Sequence, residues 1–351
     1  MKSMLKAILV KMFMVIGIVI LLVTSLAGCT AKKTPTTAAE DKTSTQGNTA
    51  QGKYAGKKVV FIDSYHEGYA WSDGVVSGIH AGLDNTGVEL KIIRLDTKQN
   101  PSVEFGQAAG ESAWAEIQAF KPDVVIACDD NAQKYLVVPF LKGGSIPVVF
   151  AGINWDASAY GYAEVSNVTG VIEVELPNQV FELLKANAKG ERVGYLTIDT
   201  ETERKIAGIY NERFFGGEMK TYWVKTQDEF KATFITAQQE VDILFMGNNA
   251  GSDKWDEAEM KQFIQDNIKI PTASINDWMA PYTLLTLAKS AKEQGDLASV
   301  SVLSILDGTT PSDIAVVQNK KGQLMANLLL ADKLGVVFTP SVLKNAVVLD
   351  K

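Results

Sequence analysis

Short runs of branched aliphatic residues recur along the chain, each closing on a polar loop and followed by a stretch of helical period. Lys58-Val-Val-Phe-Ile-Asp63 is the first such run, and it leads into a helix over Trp71–His80 for which Ser72 is the expected N-cap. Leu90–Leu95 predicts a second strand, Val103–Phe120 a helix, Asp123–Cys128 a third strand and Pro147–Ala151 a fourth. Asn167–Ile172 is a further extended segment. From Arg192 the rhythm restarts, with strands over Val193–Ile198, Tyr222–Val224, Val241–Met246 and Pro271–Ile275. Strands alternating with helices define parallel sheets covered on both faces. Two successive series of similar length, without a close internal repeat, predict two Rossmann-like α/β lobes.

The stretch from Ala280 to Lys351 departs from this rhythm. Its pattern predicts strands over Leu284–Ala288 and Ile314–Val317 and helices over Ser290–Gln294 and Gly322–Leu334. Part of it is expected to cross back to the first lobe, which makes a hinge of several strands instead of one linker. The division expected is a first lobe over 54–165, a second lobe with hinge over 166–290, and a segment over 291–351 that completes both.

The N-terminus has a different character. Lys2, Lys6 and Lys11 precede an apolar run from Met12 to Leu26 and then Leu26-Ala27-Gly28-Cys29. At about 15 residues the run falls short of the roughly 20 needed to span a bilayer as a helix. The order of charge, apolar run and small residues is that of a secretory signal over 1–28. Leu-Ala-Gly-Cys resembles the bacterial lipobox, in which Cys29 becomes the acylated N-terminus. Residues 29–53, rich in Thr, Ala, Lys, Gln, Ser and Gly, read as a flexible tether. The expected location is extracytoplasmic, with lipid at Cys29 holding the protein to the membrane.

Charge and cysteine usage narrow the chemistry. The net charge is −7 and no basic patch stands out, which argues against a nucleic-acid partner. With Cys29 assigned to lipid, Cys128 is the one remaining cysteine, so neither a disulfide framework nor a cysteine zinc site is available. The chain has no Gly-x-Ser-x-Gly, His-Glu-x-x-His, phosphate-loop or dinucleotide fingerprint. Adjacent acids such as Asp129 and Asp130 rarely converge on one bond. No catalytic residue, metal site or cofactor is expected, and the chain reads as a binding protein.

Ligands of open parallel sheets sit outside the carboxyl ends of the strands, so the residues after each strand are the candidate site. The first lobe contributes Ser64, Tyr65, His66, Tyr69 and Trp71, then Asp129, Asp130 and Asn131, then Asn154 and Trp155. The second contributes Thr200 and Glu201, Asn248 and Asn249, and Asn276, Asp277 and Trp278. Aromatic rings interleaved with amides, hydroxyls and carboxylates suit a small organic ligand. Asp, Asn, Ser and Thr in such places also serve simply as helix caps. Trp114, Trp223 and Trp255 read as packing residues, and His80 as a surface or packing residue.

Five stretches in order carry a family resemblance: Ile146-Pro-Val-Val-Phe-Ala-Gly152, Asn167-Val-Thr-Gly-Val171, Arg192-Val-Gly-Tyr-Leu196, Asp307-Gly-Thr-Thr-Pro-Ser-Asp-Ile314 and Ala331-Asp-Lys-Leu-Gly-Val-Val-Phe-Thr-Pro340. With the lipobox and tether, they make the chain similar to substrate-binding lipoproteins of bacterial ABC transporters with the type I periplasmic-binding fold. It looks most like the subgroup with receptors for tryptophan and tyrosine. That resemblance implies a monomeric receptor that delivers a small solute, such as an aromatic amino acid, to an ABC permease. It also places second-lobe contacts near Glu201 and at Asn248-Asn249, where relatives tend to carry Asp-Asn. Ala280-Pro281 replaces a frequent Gly-Ala, and the run Tyr65-His-Glu-Gly-Tyr-Ala-Trp71 departs from the relatives. The latter resembles sensing modules of bacterial signalling proteins, so a receptor for a histidine kinase is the alternative.

Overall fold

The computed structural model describes residues 52–350, which lie in one compact unit, Ala50–Lys351. The expected signal segment, the acylated Cys29 and all but the last residues of the tether lie outside the described residues. The described part is built on two sheets with helices on their faces.

The first sheet has the order β11-β5-β4-β3-β1-β2 and is parallel throughout. Its strands are β1 (Lys58–Asp63), β2 (Glu89–Arg94), β3 (Val124–Cys128), β4 (Val148–Asn154), β5 (Val168–Glu173) and the short β11 (Val317–Gln318). Val59, Val60, Phe61 and Ile62 are all fully buried, as are Val124, Val125 and Ile126. A strand covered on both faces needs apolar residues at consecutive positions, which is the pattern these runs carry. Helices α1 (Ala70–Leu83), α2 (Val103–Phe120) and α3 (Asp129–Ala132) follow β1, β2 and β3. The last runs on into a wider-turned helix over Gln133–Leu141, closed by a bond from Lys142 N to Val137 O.

The second sheet has the order β13-β12-β10-β9-β8-β6-β7. It comprises β6 (Val193–Ile198), β7 (Lys220–Val224), β8 (Ile243–Met246), β9 (Thr272–Ser274), β10 (Leu285–Lys289), β12 (Gly322–Asn327) and β13 (Ala346–Leu349). Its neighbouring strands pair in parallel except β10 with β12. Helices α4 (Pro177–Lys185), α5 (Glu201–Arg213), α6 (Gln227–Glu240) and α7 (Glu257–Asn267) belong to this lobe. Thr200, Thr226 and Asp256 cap α5, α6 and α7 by accepting the backbone N–H of Glu203, Glu229 and Glu259, the role that polar residues after strands commonly take.

Three crossings join the lobes, after β5, after β10 and after β11. The chain returns to the first lobe as α8 (Ala291–Leu306), which packs along α1. Gly78 and Gly295 make that approach possible: a Cβ on either would stand 2.1 Å from a carbonyl oxygen of the other helix. The second return, through β12, ends in α9 (Leu328–Leu334), α10 (Pro340–Asn345) and β13.

The two-lobed α/β architecture with a multi-strand hinge agrees with the expectation, and four details differ. The segment β5 belongs to the first sheet, so the boundary expected at 166 moves to the crossing after Glu173. Residues 322–327 form a strand and only 328–334 a helix. Leu324 and Ala326 are buried on alternate positions against β10, and this pairing outweighs the helical propensity of the run. The helix expected over Ser290–Gln294 continues to Leu306. Finally, Ser72 does not cap α1, which begins at Ala70; its hydroxyl donates to Asp63 Oδ1 at 2.7 Å instead.

Candidate functional site

At the carboxyl edge of the first sheet, the polar side chains are strongly coupled to one another. Ser64 is fully buried; its hydroxyl donates to Cys128 O at 2.6 Å and accepts from Ala132 N at 2.8 Å. It ties β1 to β3 and the start of α3, which is a scaffold role. Tyr65 and Tyr69 meet edge to face with ring centroids 5.2 Å apart, and the Lys98 ammonium stands over both rings at 5.4 and 5.3 Å. Burial pushes the Tyr65 hydroxyl well above its ordinary range. The His66 ring contacts Tyr69 at 5.7 Å and its Nδ1 lies 3.0 Å from Glu67 O. Asn131 donates to Thr97 Oγ1 at 2.9 Å. Asp130 accepts from the Tyr160 hydroxyl, a partner that no strand-end pattern pointed to.

Trp71 lies in the first turn of α1, not in the preceding loop, and its indole N–H donates to Asp129 Oδ1 at 2.9 Å. Asp129 is 5% exposed and has a left-handed backbone, φ 66°. Its carboxylate rests over Gly152, itself at φ 67°, where a Cβ would stand 2.7 Å from Asp129 Oδ1. Such conformations cost about 1–3 kcal/mol for a residue with a side chain and persist where the surroundings hold them. Beyond Asp129 lie Glu173, at the end of β5, and Lys289, at the end of β10 in the other sheet, joined as an ion pair across the crossings. The Lys289 ammonium also stands 5.5 Å from the Trp71 ring centroid. Burial, then the Glu173 charge, raises the Asp129 carboxyl well above the usual carboxylate range. Burial likewise raises Glu173 and Glu175, with the Lys289 charge pulling both back.

Beside this row a cleft of about 340 Å³ opens outside the ends of β4, β5 and β11. Trp155 follows β4 at φ 61°, held by a bond from its N–H to Glu173 O at 2.9 Å. Its indole lies against Tyr210 and Phe214 of the second lobe, at 6.4 and 6.1 Å between centroids, with the Arg213 guanidinium 5.4 Å away. Glu175, Asn178, Gln179, Gln318, Asn319 and Lys320 supply the rest of the polar lining. Both lobes therefore supply walls, and the crossings supply the floor.

The crossings themselves are bound to one another. Asn319 is 2% exposed; its amide donates to Val174 O at 2.9 Å and its carbonyl accepts from Val174 N at 2.7 Å. Gln294 donates to the same carbonyl at 3.3 Å and accepts from Gly152 N at 3.1 Å. The Glu293 carboxylate receives Lys320 N and Lys321 N at 3.0 and 2.8 Å.

The second-lobe candidates are placed differently. Thr200 caps α5, and Glu201 is exposed and paired with Lys205. Asn248 donates its N–H to Thr197 Oγ1 and accepts from Ala250 N, while Asn249 accepts from Ser252 N. Asn276 and Asp277 open a short turn, Asp277 taking Trp278 N at 2.8 Å, and Trp278 is 52% exposed. Asn154 is exposed at the end of β4. Of the predicted residues, only Trp155 lines the cleft. Glu173, Glu175, Arg213, Asn319 and Lys289 were missed. Arg213 closes a helix, and the others belong to crossings whose paths a strand pattern does not reveal. Among the described residues no group of His, Cys, Asp or Glu is arranged to hold a metal, and no helix is long and apolar enough to cross a membrane.

Two parallel-sheet lobes joined by three crossings, with a cleft walled by both, define a two-lobed binding protein of the type I periplasmic-binding fold. Residues 66–349 match the family of ABC transporter substrate binding proteins, and the chain belongs to that family. Among solved structures it is similar to the ligand-free, open form of a substrate binding protein with adhesive properties from Clostridium difficile. That match has 16% identity and a TM-score of 0.66, covering 84% of this chain and 99% of that one. A solute binding protein from Bradyrhizobium with bound Bis-Tris matches at 14% identity, TM-score 0.52, over 83% and 87% of the chains. An ABC domain in complex with L-Trp from Streptococcus pneumonia matches at 19% identity, TM-score 0.49, over 84% and 99%. No curated protein sequence matches significantly. The family role is extracytoplasmic binding of a small molecule for an ABC permease.

Proposed function

We propose that this chain is the lipid-anchored receptor of an ABC importer and that its solute is a small, flat organic molecule held in the cleft beside Trp155. The observation that carries this reading is the composition of that cleft. An indole from the first lobe faces an aromatic and guanidinium wall from the second, and carboxyl and amide groups from the crossings lie between them. Rings bury the apolar part of a ligand while the polar groups orient its ends. A solute touching both walls favours the conformation that brings them together, and the permease would read that conformation. Lipid at Cys29 and the tether after it would keep the body near the permease.

Thermal melting against amino acids, nucleosides, sugars and organic acids tests the reading. A solute bound only by the folded chain at 100 times its Kd adds about 2.7 kcal/mol of stability. One chemical class is expected to raise the melting midpoint, with the effect lost in Trp155→Ala and kept in Trp114→Phe, whose indole stacks on Phe140 away from the cleft. No shift with any solute, or an unchanged shift in Trp155→Ala, overturns it.

A further inference from the structure

We infer that Asp129, backed by Glu173 and Glu175, forms a subsite for a protonated amine of the solute. The inference deepens the solute-binding reading and rests on it. Three carboxyl groups run from the end of β3 to the cleft; the Lys289 ammonium is set among them, and Lys320 stands at the cleft end beside Glu175. Lys289 pairs with Glu173, and Glu175 accepts from the Tyr210 hydroxyl at 2.7 Å. Of the three, only Asp129 has a carboxyl oxygen that is both fully buried and without a hydrogen-bond partner. Its Oδ1 takes the Trp71 indole N–H, whereas Oδ2 is buried and has no hydrogen-bond partner.

A buried acceptor without a donor is unfavourable, and a buried negative charge without a partner more so. The fold nevertheless holds this carboxylate in place by three separate means. The backbone is left-handed at Asp129, Gly152 makes room beneath it, and Trp71 fixes its rotation. An acceptor oriented this firmly is suited to a donor that arrives from outside. The missing partner should be positive, because Glu173 and Asp63 both set negative charge beside Asp129 and Lys289 is already engaged by Glu173. It should be an organic ammonium and not a metal, because the carboxyl groups do not converge as ligands to one ion. The indole of Trp71, already within reach of one ammonium at 5.5 Å, adds a surface that attracts cations.

The test uses the full chain and four probes in two pairs: tryptamine with N-acetyltryptamine, and L-tryptophan with N-acetyl-L-tryptophan. Acetylation removes the charge on nitrogen and adds an acetyl group, so the Asp129→Asn variant separates charge from bulk. Calorimetric titration is expected to show the amines binding at least tenfold more tightly than their acetylated partners. Asp129→Asn, which keeps the shape and the acceptor for Trp71, should abolish that preference. N-acetyl compounds binding as well as the amines, or a preference unchanged in Asp129→Asn, overturns the subsite. Binding confined to neutral or acidic solutes overturns it too while leaving the solute-binding reading standing. No binding by any solute of the wider thermal panel sinks both.

Discussion

The two sheets share a five-strand parallel arrangement, β5-β4-β3-β1-β2 in one and β10-β9-β8-β6-β7 in the other, but their carboxyl edges account for their polar groups in opposite ways. At the second edge the polar groups are satisfied internally. Glu203, 2% exposed, accepts from the Tyr195 hydroxyl at 2.6 Å and the Thr197 hydroxyl at 2.6 Å, and Thr197 in turn receives Asn248 N. At the first edge Asp129 Oδ2 is buried without a hydrogen-bond partner, Asp63 Oδ2 meets only the Arg94 guanidinium at 3.6 Å, and Asp129 and Trp155 occupy left-handed backbone. One edge is organised for stability. The other keeps unsatisfied groups in fixed positions, which is where a ligand can supply what the fold does not.

Removing the second edge's hub should have the largest effect. Glu203→Ala leaves the hydroxyls of Tyr195 and Thr197 buried without their acceptor, at roughly 1–3 kcal/mol each. A loss of about 3 kcal/mol in urea unfolding is expected, and a loss below about 1 kcal/mol would show that the network does not support the lobe. Asp129→Asn should act in the other direction. It removes a buried carboxylate but keeps the Trp71 bond, so stability at pH 7 should rise, on the order of 1 kcal/mol. A fall would mean that the charge is already compensated and would erase the contrast between the edges.

The pH profile sharpens the comparison further. Burial raises Asp129, Glu173 and Glu175 above their unfolded values, so the folded chain holds more protons in the interval between. Their contribution to stability is complete below the unfolded carboxylate range, about pH 4, and declines as pH rises through the folded values. The advantage of Asp129→Asn should accordingly grow from pH 4 to pH 7. Asp242, held below its ordinary range by hydrogen bonds from Arg192, works with the opposite sign and loses stability on acidification. A variant advantage independent of pH would exclude Asp129 as a titrating group. The smallest effect is expected at Glu201→Ala, where the exposed pair with Lys205 should leave the melting midpoint unchanged.

How much of this was legible depended on the range of the interactions. The Val193–Ile198 strand and the Val103–Phe120 helix have the same limits in sequence and structure, because burial on both faces or one face leaves a local period. Residues 322–327 were read as helix because their strand pairing is to β10, more than thirty residues earlier. Ser72 was read as a cap because its partner, Asp63, lies across a loop. For the site, the rule that loops after strands hold candidates named Trp155, which lines the cleft, and Trp71 and Asp129, which meet each other outside that lining. It ranked the second-lobe asparagines equally, although the fold engages their backbone groups and Asn248 Oδ1 in local turns.

By itself the sequence determined two α/β lobes, a candidate zone at the strand ends and the absence of recognised catalytic motifs. Each of these follows from residue type and short-range periodicity. Tertiary structure decided which sheet β5 and α8 join, how Asn319, Gln294 and Glu293 bind the crossings together, and that Asp129, Glu173, Glu175 and Lys289 meet. These groups are separated by up to 160 positions, and their energies depend on burial and on one another's charge. Neither burial nor charge coupling exists until the lobes have formed, so neither leaves a local trace in the order of residues.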